Sequence, residues 1–181
     1  MKNKKNLFLY VFLVIGIQVI SNKLLEYDTI LSNSLSDQLT QEQLLDYLRL
    51  RKDLEWVGYI VMPIILFIKL SLIAAIIDVG CFFFEKEIKY KKLFNIVVKA
   101  EFVFLGVIVF KTGWFFFFEQ NYTLEDLQYF YPLSLINLID YREYKTWFIY
   151  PLQIINLFEI VYWFVLANLL GKSLKLSTEK S

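Results

Sequence analysis

The chain has 181 residues, is 57% hydrophobic and 19% aromatic, and carries a mean hydropathy of +0.50 with a formal net charge of +1. That apolar content exceeds what a soluble core of this size can hide, and the length leaves room for one domain and no separate soluble module. With no histidine and one cysteine, imidazole and thiolate metal sites and every His-dependent catalytic arrangement are excluded, and neither side of the chain is basic enough for nucleic acid. The composition points to an all-α, polytopic integral membrane protein, a four-transmembrane-helix bundle with two partly helical outer loops.

The first apolar stretch follows Lys2, Lys4 and Lys5 and runs from Leu7 to Ile20. This charge order also fits a secretory signal, but Ile20-Ser21-Asn22-Lys23 lacks the small residues of a cleavage site, so an uncleaved signal anchor over 7–25 is expected. An outer loop over 26–55 follows. Within it, Thr40-Gln41-Glu42-Gln43 reads as a capping box ahead of Leu44, Leu45 and Leu48, which predicts a short amphipathic helix leading straight into the second span.

The second span is predicted over 56–84, and the lysine-rich inner loop over 85–92 carries the strongest orientation signal. The third span, 93–118, returns outward. In the outer loop 119–147, Thr123 is expected to cap a helix through Asp126 and Tyr129 that stops before Pro132. The seven-residue apolar run Leu133 to Ile139 is too short to cross, so it either dips into the membrane or packs over the bundle end. The aromatic neighbours Tyr129, Phe130, Tyr131, Tyr141 and Tyr144 suit a headgroup-level position. The fourth span, 148–170, ends at Lys172 and Lys175.

Charge is sorted by side. The inner segments hold ten Lys/Arg and three Asp/Glu; the outer ones hold six, Lys23 included, and twelve. By the positive-inside rule both termini are cytoplasmic. The Lys-, Asn-, Ile- and Phe-rich usage is that of an AT-rich bacterial genome, which makes a bacterial cytoplasmic membrane the expected location. Asn121-Tyr122-Thr123 fits the glycosylation sequon and faces outward, and its meaning depends on a eukaryotic host, which the sequence does not establish. Trp56-x-x-Tyr59 and Trp147-x-x-Tyr150, each followed by a proline (Pro63, Pro151) and a later glycine (Gly80, Gly171), suggest a weak internal repeat. The tryptophans Trp56, Trp114 and Trp147 read more securely as outer-interface anchors.

Measured from those anchors, Lys69 lies thirteen residues below Trp56, Glu101 thirteen below Trp114 and Glu159 twelve below Trp147. At one helical rise per residue all three sit about 18–20 Å beneath the outer belt. Charges at that depth are costly and find partners, so Lys69 is expected to pair with Glu159, with Glu101 as the second candidate. Lys99 and Glu101, two residues apart, point to nearly opposite faces, which leaves Glu101 inward and Lys99 snorkelling. Lys111, one turn from Trp114, is expected to reach the outer surface, and Cys81 to be an inert buried thiol.

No catalytic, metal or phosphate-loop motif stands out, no cofactor is expected, and Asp78 is the only aspartate within a span. The outer acids Glu125, Asp126 and Asp140 read as solvated loop carboxylates. The expected function is non-enzymatic: a subunit, accessory or assembly factor of a larger membrane complex, whose partners are the lipid bilayer and another membrane protein or a second copy of itself. The competing reading is a small oligomeric transporter or channel that uses the Lys69, Glu101 and Glu159 cluster for proton or cation coupling.

Overall fold

The computed structural model describes residues 2–36, 38–139 and 144–178. Asp140 and Tyr141 lie outside the described residues, as do the side chains of Lys2, Lys4 and Lys175. The described secondary structure is helical: α1 (Lys2–Leu24), α2 (Tyr27–Ser36), α3 (Gln41–Phe83), α4 (Tyr90–Glu101), α5 (Val103–Phe117), α6 (Leu124–Tyr129), α7 (Thr146–Ile154) and α8 (Leu157–Thr178), with a 3-10 turn over Leu135–Leu138. Among the described residues there is no strand, and a single antiparallel bridge joins Ser134 to Asn156. Four helical stretches are long and apolar enough to cross a membrane: Lys5–Leu24, Gln41–Phe83, Tyr90–Phe117 and Leu157–Leu174.

Both threonine caps form as the sequence indicates. Thr40 Oγ1 accepts from the Gln43 amide and the Gln43 side chain accepts from the Thr40 amide, a complete capping box. The helix it starts leads straight into the second span, as a single helix of 43 residues. At 1.5 Å per residue it is about 64 Å long, twice a hydrocarbon core of about 30 Å, so its charged first third projects beyond the apolar part. Pro63 is accommodated without breaking it. Thr123 caps α6 through Asp126, and the helix ends at Tyr129, three residues before Pro132.

The end of α3 is a Schellman motif. The Lys86 amide reaches back to the Cys81 carbonyl at 2.9 Å and the Glu85 amide to the Phe82 carbonyl at 3.1 Å. This turn puts Glu85 at φ 54°, where a Cβ is strained. Glu85→Gly is therefore expected to stabilise the protein by about 1 kcal/mol, read as a higher midpoint in thermal unfolding in detergent.

The α4–α5 stretch is the hub. It packs against α1, α3 and α8, and 39% of its most apolar window is buried, against 11% for α3. The core around it is formed by Leu70 and Ala74 of α3, Leu93, Val97, Val98 and Ala100 of α4, Tyr10 and Val14 of α1, and Tyr162 and Leu166 of α8. Cys81 is buried and unbridged. Gly106 lets α5 and α8 approach closely, since a Cβ there would lie 3.1 Å from the Phe158 ring. A second, smaller core of Leu25, Phe115 and Leu127 fastens the α1–α2 junction and α6 onto the end of α5.

Two of the predicted spans are interrupted. The third is helical on both sides of a turn at Phe102, directly after Glu101. The fourth is not one helix over 148–170: α7 stops at Ile154 and α8 starts at Leu157. The cause is Asn156. Its side-chain amide donates to the Gln153 and Ile154 carbonyls, both at 2.9 Å, and its carbonyl oxygen accepts from the Glu159 amide at 2.9 Å. One side chain thus ends one helix and caps the next. The backbone groups freed there are taken by the 133–135 strand-like segment, through Leu135 N–H to Ile155 O at 3.0 Å and Leu157 N–H to Leu133 O at 3.1 Å. The apolar run from Leu133 to Ile139 therefore packs on the interruption, and the two tryptophan-marked halves differ, one continuous through Pro63 and the other broken after Pro151.

Candidate functional site

Glu101 ends α4 at the middle of the hub helix and is fully buried, at 0% exposure. The Lys69 ammonium of α3 lies 3.0 Å from its Oε2, an ion pair between two of the membrane-length helices. The expected first choice, Lys69 with Glu159, is thereby corrected. Depth alone could not separate the two acids; the packing does, because α3 lies along α4 while α8 packs on α4 and α5. Glu159 lies at the start of α8, which packs on α4. The depth count from Trp147 to Glu159 no longer applies, since residues 155 and 156 are not helical and Glu159 falls in the first turn of α8.

Three aromatic rings wall the pair. Lys69 Nζ sits 4.9 Å from the centre of the Phe104 ring, a cation–π arrangement worth about 0.5–2 kcal/mol. The Tyr10 hydroxyl donates to Glu101 Oε2 at 3.4 Å, and the Tyr10 ring packs on Phe102. The Tyr162 hydroxyl approaches the same carboxylate without closing a hydrogen bond of normal length, so it and Glu101 Oε1 are both buried without a partner. Both donors on Glu101 thus converge on one oxygen and leave the other bare. Lys99, two residues away, is exposed, which puts the two charges on opposite faces of α4 as their spacing implies.

The described part of the segment after α6, residues 130–139, packs against the α7–α8 interruption beside Glu159. Burial first, then the charges of Glu159 and Glu101, push the Tyr131 phenol above its ordinary range, so this residue stands near both acids. Leu133, next along, has φ 55°, a strained conformation for leucine held by Pro132 before it and the pairing with Leu157 after it. Asn156 is the residue that sequence reading missed. A lone asparagine inside an apolar run, three residues before an acid, is the pattern of a helix start and was the available signal. Asn156→Ala is expected to cost about 1–2 kcal/mol, measured as a drop in thermal midpoint in nanodiscs.

The remaining residues fall elsewhere. The Lys111 ammonium donates to the Leu127 carbonyl near the end of α6, so it reaches the segment after α5 and steadies a helix C-terminus. Trp56 and Trp147 are exposed, Trp147 stacked on Phe148, while Trp114 packs between Phe118 and Phe130 and donates to Glu119 at 3.3 Å. A groove of about 810 Å³ opens beside Trp114, bounded by Phe110, Phe130, Leu133, Ile155 and Ile160. Among the described residues no cluster of three or more His, Cys, Asp or Glu is placed to hold a metal ion. Comparison with family models, curated proteins and solved structures finds no match for the chain.

Proposed function

We propose that this chain is a four-helix-bundle protein of the bacterial cytoplasmic membrane, with both termini cytoplasmic, that works as a non-enzymatic subunit or accessory of a larger membrane complex. One observation carries the reading. Lys69 leaves 48% of its side chain exposed on α3, between the exposed apolar residues Ile65, Ile68 and Leu72. The ammonium itself is bound to Glu101, but a half-exposed lysine at mid-span still turns polar surface toward lipid, and a neighbouring protein laid along α3 covers it. The peripheral place of α3 supports the same surface, since it packs chiefly along α4.

The test is purification of the tagged full-length protein in native nanodiscs, with mass spectrometry of whatever accompanies it. A defined protein at fixed stoichiometry, cross-linked through Leu72→Cys in a Cys81→Ser background, is the expected result; a lone chain surrounded by lipid would contradict it. A second reading, a small oligomeric transporter or channel, is favoured by the bare carboxylate oxygen of Glu101 beside two helix interruptions. A clean homo-oligomer would favour that reading, and in it Glu159→Gln is expected to abolish proton-coupled flux in proteoliposomes while leaving assembly intact.

A further inference from the structure

The groove beside Trp114 has two unlike ends. Most of its wall is apolar: Phe110 of α5, Leu157 and Ile160 of α8, and Leu135 and Leu138 of the 3-10 turn. Phe110 and Ile160 belong to membrane-length helices, so this end opens onto hydrocarbon, and Leu138, Leu157 and Ile160 are all exposed. Its volume of about 810 Å³ is that of a small-molecule site, and its wall is held in place by the backbone bonds from Leu135 to Ile155 and from Leu157 to Leu133. The other end is acidic. Glu119, two residues past α5, and Asp126 of α6 line it together with Asn137. Asp126 caps its own helix through Thr123. Glu119 accepts from the Trp114 indole at 3.3 Å through Oε2, and Asn137 donates to the Tyr131 carbonyl at 2.7 Å through its nitrogen, so each retains an oxygen that can accept. Among the described residues no lysine or arginine lines the groove, and Lys111 of α5 is engaged with the Leu127 carbonyl.

We propose that this groove binds one membrane lipid with a primary-ammonium headgroup, its acyl chain along Phe110, Leu157 and Ile160 and its ammonium on the Glu119 carboxylate. Charge complementarity selects the headgroup. A lipid of net negative charge would bring its phosphate against Glu119 and Asp126 with no cation to offset them. A quaternary ammonium carries no N–H for Glu119 or Asn137 and is recognised instead by open aromatic faces, tryptophan best. Trp114, the ring beside Glu119, is stacked on Phe118 and Phe130 at 5.2 and 5.8 Å, so its faces are occupied. A primary ammonium has three donors, which match the oxygens of Glu119 and Asn137 and leave the lipid phosphate to water. The site requires that the chain span a membrane and requires no protein partner.

The experiment is native mass spectrometry of the purified full-length protein in detergent, titrated with phosphatidylethanolamine, phosphatidylcholine and phosphatidylglycerol of identical acyl chains. The wild type should hold one phosphatidylethanolamine about tenfold more tightly than either of the others, the size of one charge-assisted hydrogen bond. Glu119→Gln keeps an acceptor for the Trp114 indole but loses the charge, and should bring phosphatidylethanolamine down to the level of phosphatidylcholine. Ile160→Trp fills the apolar end and should weaken all three alike; if it does not fold, Glu119→Gln decides alone. Equal binding of the three lipids by the wild type, a preference that survives Glu119→Gln, or tight binding untouched by Ile160→Trp would overturn the site. Displacement of the lipid by a copurified protein would assign the groove to that protein and overturn it as well. Failure here leaves the assembly reading along α3 standing, and a lone chain in the nanodisc purification leaves this site standing.

Discussion

Lys69→Met is expected to lower the unfolding free energy by about 3 kcal/mol, the low end of the range for stranding a buried charge, here Glu101, by removing its half-exposed partner. Glu101 would keep its burial but lose the ammonium at 3.0 Å and be left with Tyr10 alone. The low end applies because a stranded acid in an apolar site can take up a proton and so avoid the full cost of a bare charge. Lys69 also loses its contact with Phe104, which methionine partly replaces. The double variant Lys69→Met, Glu101→Gln should recover most of the loss, because it removes both charges together. Denaturant unfolding in mixed micelles, taken as a double-mutant cycle, checks both numbers. Equal destabilisation by the single and double variants would mean that the pair contributes nothing beyond the bulk of its side chains.

Phe115→Ala is expected to cost about 3–5 kcal/mol, as for other large aromatic residues removed from a packed site. Phe115 is 1% exposed, and its ring meets Tyr122 at 4.8 Å and Phe130 at 5.1 Å, at the centre of the small core that joins three chain segments. Tyr122 in turn donates to the Leu25 carbonyl at 3.1 Å, where α1 turns into α2 through Glu26 at φ 47°. The effect should be local. Hydrogen exchange should rise in α2 and α6 while the α4 amides keep their protection, because the main core around Leu93 and Val97 does not include Phe115. Uniform loss of protection would show that the two cores unfold as one.

Much of the fold could be read from local chemistry. The four apolar stretches, the two threonine caps and the opposed faces of Lys99 and Glu101 depend on residues within a few positions of one another, and the structure places each accordingly. What was not legible depends on distant partners. The interruption at Ile155 and Asn156 needs the backbone of Leu133 and Leu135 to take up the freed groups, and nothing in the 148–170 run announces that pairing. Pro151 is a poor guide, since it lies within α7 and the break comes four residues later. The helix α2 was missed because its Ser- and Asn-containing sequence has weak propensity, and it is held by contacts to α1, α3 and α6 and by Arg51 to Asp28 at 2.7 Å.

Depth along a helix put Lys69 and Glu101 at one level, and the two pair; for Glu159 the count fails, because the helix breaks at residues 155 and 156. Depth also carries no information on which neighbour a face meets. That depended on α3 lying along α4. The same packing explains why the hub carries the buried charge: α4 is covered by α1, α3 and α8 together, and the turn at Phe102 follows directly after Glu101.

The orientation of the four spans underlies every functional statement made for this chain, and labelling of single cysteines tests it most directly. In a Cys81→Ser background, Ser36→Cys and Glu125→Cys occupy exposed positions in the two long connecting segments, and Lys89→Cys sits in the lysine-rich turn before α4. In intact bacterial cells whose outer layers admit the reagent, a membrane-impermeant maleimide should label Ser36→Cys and Glu125→Cys at once, and Lys89→Cys only after the membrane is opened. Immediate labelling of Lys89→Cys alongside Ser36→Cys would contradict the four-span arrangement.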